Sequence, residues 1–112
     1  MKIFKTKFKD LIVVANKRFH DERGYFREIL VEKTIKKKFI FNVMSVSKKN
    51  VIRGLHYQKE NSQGKFVSVI KGKILDVAVD LRKNSKTYGK HYKIILSEQN
   101  CKSIYIPVGF AH

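Results

Sequence analysis

Residues 53–65 of this sequence combine a histidine with cations and glycine, which are residue types suited to proton transfer beside an anion. Residues 53–58 read Arg-Gly-Leu-His-Tyr-Gln, and Lys65 follows nine positions after His56, directly behind Gly64. A histidine exchanges a proton near neutral pH, an arginine holds a phosphate through two parallel hydrogen bonds, and a lysine stabilises a developing oxyanion. Arg53, His56 and Lys65 are therefore three candidate parts of one site. A structural histidine in a strand is the alternative reading of this segment.

Two further segments carry glycine next to charged or imidazole groups. Residues 107–112 read Pro-Val-Gly-Phe-Ala-His, a turn that would present His112. Residues 21–28 read Asp-Glu-Arg-Gly-Tyr-Phe-Arg-Glu, a turn that runs into a strand. Since strand side chains alternate between two faces, Phe26 and Glu28 share a face and are expected to point inward together. The alternative for Arg23 and its neighbours is a charged hairpin tip.

The elements that must position these residues are short strands, because runs rich in Val, Ile, Phe and Tyr recur between turn signals. The predicted strands are Leu11–Ala15, Tyr25–Val31, Phe39–Val46, Phe66–Ile70, Ile74–Leu81, Tyr92–Leu96 and Ser103–Ile106. Only Leu30–Lys38 resembles a helix. Many short strands with almost no helix predict an all-β fold, an antiparallel sandwich or barrel.

The turn at Lys71-Gly72-Lys73 is the clearest in the sequence and predicts a hairpin. After it, polar and apolar residues alternate with a strict period of two, so that Asp76, Ala78 and Asp80 share one face of the strand. The chain stops at His112, just after a predicted strand, which would leave a sheet edge bare. We therefore expect further chain or a second subunit to cover that edge.

Length and composition favour one domain over residues 1–112. The chain has a net charge of +16, but its lysines are spread along the whole sequence. A solvated surface explains this charge as well as a binding role does. Since there is no helix-turn-helix or zinc-finger spacing, we expect no nucleic-acid partner. No apolar run approaches the roughly 18 residues of a membrane span, and the single cysteine suits a reducing compartment, so a cytoplasmic protein without a membrane partner is expected.

Taken in order, these segments resemble the nucleotide-sugar 3,5-epimerases of the dTDP-4-dehydrorhamnose 3,5-epimerase type. The resemblance covers nearly the whole chain and rests on five blocks, residues 19–26, 53–58, 63–67, 76–82 and 106–112. It implies a cupin-like jelly-roll β-sandwich, incomplete at the C-terminus, that forms a homodimer. The chain would correspond to the first half to two-thirds of such an enzyme.

The resemblance also implies a reaction and roles for individual residues. The family inverts C3 and C5 of a 4-keto-6-deoxy sugar carried on a nucleotide diphosphate, by removing a proton beside the ketone. His56 would be the base and Lys65 would hold the enolate oxygen, with Arg53 beside it. Asp76 would orient one of the two histidines. The positions expected to contact the nucleotide sugar are Arg23, Phe26, Glu28, Arg53 and His112.

The sequence departs from the family pattern at two places. Phe41, Asn42 and Val43 stand where the family has a glutamine, an acidic residue and an asparagine, which leaves the nucleotide and the sugar open. The family's tyrosine acid and the aspartate partner of its base follow the His112 position. A non-catalytic cupin module that binds a phosphorylated sugar is therefore the alternative function. Metal-dependent cupins have two histidines separated by one residue, whereas Tyr57 and Gln58 follow His56, so a three-histidine metal site is not expected. The resemblance implies neither a metal nor an organic cofactor.

Overall fold

The computed structural model describes all residues, Met1–His112, and is built almost entirely of β-strands. The strands are β1 (Lys2–Lys5), β2 (Ile12–Ala15), β3 (Arg18–Asp21), β4 (Gly24–Arg27), β5 (Lys65–Ser68), β6 (Lys73–Asp80), β7 (His91–Ser97), β8 (Lys102–Ile106) and β9 (Phe110–Ala111). The one helix is α1 (Glu32–Ile35), which lies inside the predicted helical segment. The all-β prediction is thus confirmed. No helix is long and apolar enough to cross a membrane.

Two sheets face each other across the core, and a separate hairpin extends from them. One sheet has the order β1-β2-β8-β5, the other has the order β7-β6-β9, and β3 pairs only with β4. All pairs are antiparallel. The core draws side chains from both larger sheets and from the loop before β2, and its members are Phe8, Leu11, Val69, Ala78, Leu96, Ile104, Ile106 and Phe110.

The polar face of β6, rather than its apolar face, is turned towards the interior. Asp76, Ala78 and Asp80 are buried, whereas Leu75 on the opposite face is 63% exposed. This orientation is tolerated because both carboxylates have hydrogen-bonding partners inside the protein. The face that carries candidate chemistry therefore points into the fold.

The hairpin predicted at Gly72 is wrong. Gly72 has a φ of 84°, as a tight turn requires, but the strands on its two sides belong to different sheets. β5 pairs with β8, and β6 pairs with β7 and β9. The turn signal was local, whereas the pairing partner is decided by distant parts of the chain.

The strand predicted at Phe39–Val46 is also wrong, and residues 36–64 contain no helix or strand. No strand pairs with residues 39–46, and a lone strand leaves its backbone groups without partners. The large apolar side chains of residues 40–46 are exposed, with Ile40 at 90% and Val43 at 85%. The strand predicted at Tyr25–Val31 ends early, at Arg27.

Candidate active site

The backbones of His56 and His112 lie side by side at one edge of the second sheet. The amide of His56 donates to the carbonyl of His112 at 2.5 Å, and the amide of His112 donates to the carbonyl of His56 at 2.9 Å. Two residues that exchange both hydrogen bonds are directly opposite in an antiparallel pair, so their side chains lie on the same face. The two imidazoles predicted from separate segments are therefore neighbours.

Gly54 makes this close pairing possible. Its φ is 97°, which side chains other than glycine rarely adopt, and an added Cβ would lie 3.0 Å from the carbonyl oxygen of His112. A residue with a side chain at position 54 would be strained and would push His112 away. The spacing Arg53-Gly54-Leu55-His56 thus has a structural basis in the backbone.

Asp76 is the partner of His112 rather than of His56. β6 and β9 pair so that Asp80 lies opposite Phe110, and continuing that register puts His112 opposite Ala78 and diagonal to Asp76 on the same face. The Asp76 Oδ2 to His112 Nε2 distance is 2.8 Å. A carboxylate oxygen accepts this hydrogen bond from the tautomer with its hydrogen on Nε2, which leaves Nδ1 of His112 for another contact. Asp76 is 4% exposed, and its Oδ1 is buried without a partner.

His56 and Lys65 line the same small pocket. Its wall consists of His56, Tyr57, Gln58, Ser62, Gln63, Lys65, Gly109 and Phe110. His56 is exposed, and Lys65, the first residue of β5, is half-buried. His56, from the irregular segment, and Lys65, from the strand that follows it, therefore border one hollow.

The five candidate binding residues do not line this pocket, and they are Arg23, Phe26, Glu28, Arg53 and His112. Arg53 donates instead to Ser47 Oγ at 2.8 Å and to the Val46 carbonyl at 3.0 Å, within the irregular segment. Arg23 pairs with Asp21 at the tip of the β3–β4 hairpin. The expected single hollow containing Arg53, His56 and Lys65 is thus wrong for Arg53, because its guanidinium is held by its own loop.

The expectation that Phe26 and Glu28 point inward together is wrong as well. Phe26 lies opposite Phe19 on the hairpin and is 65% exposed. Glu28 follows the end of β4 and is exposed. Period two predicted their shared face while the strand was assumed to continue, but the strand ends before Glu28. The hairpin instead presents Phe26 to solvent on one face.

A hydrogen-bond network around the buried carboxylate of Asp80 contacts the pocket wall through Arg82. The sequence did not predict this network. Asp80 Oδ2 accepts hydrogen bonds from Arg82 at 2.8 Å, Ser85 at 2.6 Å and Thr87 at 2.7 Å. Burial alone would raise the pKa of Asp80, but these hydrogen bonds outweigh it and hold that pKa well below its usual range. The arrangement Asp-x-Arg-x-x-Ser-x-Thr was the available signal.

Arg82 then shapes the turn that leads to His112. Gly109 has a φ of 92°, and a Cβ at this position would lie 2.5 Å from Arg82 Cγ. The guanidinium of Arg82 also lies over the ring of Phe110, 4.7 Å from its centroid. The network of Asp80 therefore fixes the backbone on which Gly109 and Phe110 enter the pocket wall. No three His, Cys, Asp or Glu side chains are grouped to hold a metal ion.

Comparison with known proteins gives the class and then the family. The fold is a cupin-like jelly roll, as in the solved structures that superpose on it. The family model described as dTDP-4-dehydrorhamnose 3,5-epimerase matches residues 5–112. The chain belongs to this family.

Individual relatives agree along the whole chain. The dTDP-4-dehydrorhamnose 3,5-epimerase of Methanothermobacter thermautotrophicus is 45% identical, over 99% of this chain and 63% of its own length. The crystal structure of the Elizabethkingia anophelis enzyme superposes with a TM-score of 0.88 at 44% identity, covering 100% of this chain and 65% of that one. The Legionella pneumophila epimerase, in complex with dTDP-4-keto-L-rhamnose, gives 0.93 at 41% identity, covering 99% and 62%. The chain therefore spans slightly less than two-thirds of these relatives.

Proposed function

We propose that this chain acts on a 4-keto-6-deoxy nucleotide-diphosphate sugar of the dTDP-4-dehydro-6-deoxyglucose type, inverting C3, C5 or both through an enolate. The observation that carries the proposal is the pocket shared by His56 and Lys65. Family membership over residues 5–112 supports the substrate class. So does the relative from Legionella pneumophila, whose structure contains dTDP-4-keto-L-rhamnose.

In the proposed reaction His56 removes a proton from the carbon next to the ketone. The ammonium of Lys65 stabilises the negative charge that develops on the ketone oxygen, and it does so effectively because it is half-buried. Asp76 holds His112 in one tautomer through the 2.8 Å hydrogen bond, which leaves Nδ1 of His112 available to the sugar. These three side chains and His112 enter from two facing sheets and one loop.

Substrate binding beyond the pocket is assigned to Arg23, Phe26, Glu28 and Arg53. The first three lie on or next to the exposed β3–β4 hairpin, where a base can stack on Phe26 and a phosphate can replace Asp21 as the partner of Arg23. Arg53 would join the site only after leaving Ser47 and Val46. Binding of the nucleotide is therefore proposed to rearrange residues 46–53.

We also propose that residues 1–112 form one domain that assembles as a homodimer in the cytoplasm. β2, near the start of the chain, pairs with β8, near its end, which supports a single unit. Phe4 and Phe19 are 51% and 59% exposed, and burial in a second copy would remove them from water. The free thiol of Cys101 fits a reducing compartment. A light-scattering mass of twice 13.1 kDa is expected, and a monomer would refute the dimer.

A non-catalytic module that binds a phosphorylated sugar is the second candidate. It is favoured by the position of Arg53, whose guanidinium is engaged within its own loop and away from the pocket. Such a module would bind the nucleotide sugar but would not exchange protons at carbon. The two candidates differ in this one measurable property.

Deuterium incorporation separates the two candidates. The chain is incubated with dTDP-4-dehydro-6-deoxyglucose in deuterated water, and label at C3 and C5 is followed by NMR. Exchange at either carbon supports the epimerase chemistry, and binding without exchange supports the module. His56→Ala is expected to reduce exchange by about 100-fold or more, because the base is removed. His91→Ala, which removes an exposed histidine of β7, serves as the control. Equal exchange in both variants would reject His56 as the base.

A further inference from the structure

Tyr105 of β8 lies directly against the α-carbon of Gly64. The tyrosine is 7% exposed. A Cβ added to Gly64 would lie 2.6 Å from the tyrosine Oη and 3.2 Å from its Cε2 and Cζ atoms. A contact of 2.6 Å is shorter than Cβ atoms tolerate, so position 64 has no room for a side chain. Glycine is required here by the tyrosine ring, since the backbone of Gly64 is outside the left-handed region.

The ring of Tyr105 cannot move away from Gly64, because other side chains enclose it. Phe39 contacts it edge-on with ring centroids 6.3 Å apart, and Phe66 lies opposite it in the β5–β8 register. The ammonium of Lys37 lies 5.4 Å from its centroid. Burial, reinforced by the charge of Asp10, raises the pKa of Tyr105, so its hydroxyl stays protonated at neutral pH. The ring is thus a neutral, fixed surface.

Lys65 directly follows Gly64, the residue that contacts the tyrosine ring. It pairs with Ile106, whereas Phe66 pairs with Tyr105, and successive residues of a strand face opposite sides. The side chain of Lys65 therefore lies on the other face of the sheet from the tyrosine ring, in the pocket with His56. The ring meets the backbone immediately before Lys65 and does not itself line that pocket.

We propose that Tyr105 is a positioning residue for Lys65. Its ring fixes the position of the Gly64–Lys65 backbone, and thereby the distance from the Lys65 ammonium to the ketone oxygen of the substrate. The role of Lys65 in this statement rests on the proposed function. A misplacement of about 1 Å at a catalytic group costs on the order of 100-fold in rate, so a contact that positions Lys65 is expected to have a large effect on the reaction rate.

Two substitutions and their combination test the contact through deuterium exchange. Gly64→Ala is expected to slow exchange about tenfold or more, since the new methyl group displaces the Lys65 backbone. Tyr105→Phe alone retains exchange within about twofold, because the ring remains. The double variant is expected to recover part of the loss, since the nearest atom at 2.6 Å is gone and the next lies at 3.2 Å. A double variant as slow as Gly64→Ala would overturn the proposal.

A second measurement does not depend on activity. Lysines of the chain are reductively methylated with ¹³C-formaldehyde, and the Lys65 signal is identified by its loss in Lys65→Arg. Tyr105→Leu and Gly64→Ala are expected to shift this signal. Tyr92→Leu removes a ring of β7, in the other sheet, whose centroid lies 5.9 Å from that of Phe8. This control is expected to leave the Lys65 signal in place. An unmoved Lys65 signal in folded Gly64→Ala would overturn the positioning role. Absence of exchange in the unmodified chain would refute the proposed function alone, since the Lys65 signal still reports on Tyr105.

Discussion

Asp80 and Asp21 allow a matched test of how burial changes the contribution of an Asp–Arg ion pair to the free energy of unfolding. Each aspartate accepts hydrogen bonds from the backbone amide, the Nε and the NH2 group of the arginine two residues later. The Asp80 side chain is 0% exposed, whereas those of Asp21 and Arg23 are 50% and 90% exposed. Substitution by asparagine keeps the shape and removes the charge in both places.

The expected cost of Asp80→Asn follows from its partners. Oδ1 accepts from the Arg82 amide and Nε, and Oδ2 accepts from Arg82, Ser85 and Thr87. Whichever way the amide turns, its NH2 group faces two or three donors, each costing about 1–3 kcal/mol when unpaired. The hydroxyls of Ser85 and Thr87 relieve part of this by rotating to accept. We expect a loss of about 3 kcal/mol in the free energy of unfolding, close to the cost of breaking a buried ion pair.

Urea denaturation followed by circular dichroism measures this difference, with thermal unfolding as a second probe. For a chain of this size the midpoint temperature is expected to fall by about 12 °C, at roughly 4 °C per kcal/mol. Asp21→Asn is expected to leave the midpoint unchanged, since solvent screens that pair. Equal shifts of the midpoint temperature in the two variants would refute the argument that burial decides how much the ion pair contributes to stability.

The same pair predicts a pH dependence. The pKa of Asp80 is lowered in the folded chain from its ordinary value of 3.8. A lowered folded-state pKa gives stability that is fully present above 3.8 and is lost as the pH falls from there through the folded-state pKa. The difference in unfolding free energy between the unmodified chain and Asp80→Asn should therefore be constant at neutral pH and shrink only below 3.8.

Three further predictions follow from contacts of the candidate site. Gly109→Ala is expected to cost about 2 kcal/mol or more in unfolding free energy, because the φ of 92° is strained and Arg82 Cγ lies 2.5 Å from the new Cβ; Gly89→Ala, with a φ of 73° and open space, should cost about 1 kcal/mol. Gly54→Ala should separate His56 from His112, seen as loss of amide protection at both residues. Asp76→Ala is expected to slow deuterium exchange about tenfold by freeing His112, measured at equal fold content; unchanged exchange would exclude an orienting role.

The sequence by itself determined the local features of this protein. Runs rich in Val, Ile, Phe and Tyr located β6, β7 and β8 to within one residue at each end, and period-two alternation supported β6, since both signals are properties of consecutive side chains. The turn at Gly72 and the short helix were also readable, because glycine conformations and helix period are local. The motifs around His56, Lys65 and His112 were visible as spacing, and their catalytic and binding roles stay predictions.

Only the tertiary structure decided which of these features meet. Asp76 could have oriented either histidine until the β6–β9 register placed it 2.8 Å from His112. Arg53 and Lys65 were equal candidates for one hollow until the hydrogen bonds of Arg53 within its own loop separated them. Tyr105 carried no signal at all until its ring was found against Gly64. Hydrogen-bonding partners, burial and contact between sheets join residues far apart in the chain, and no local pattern encodes them.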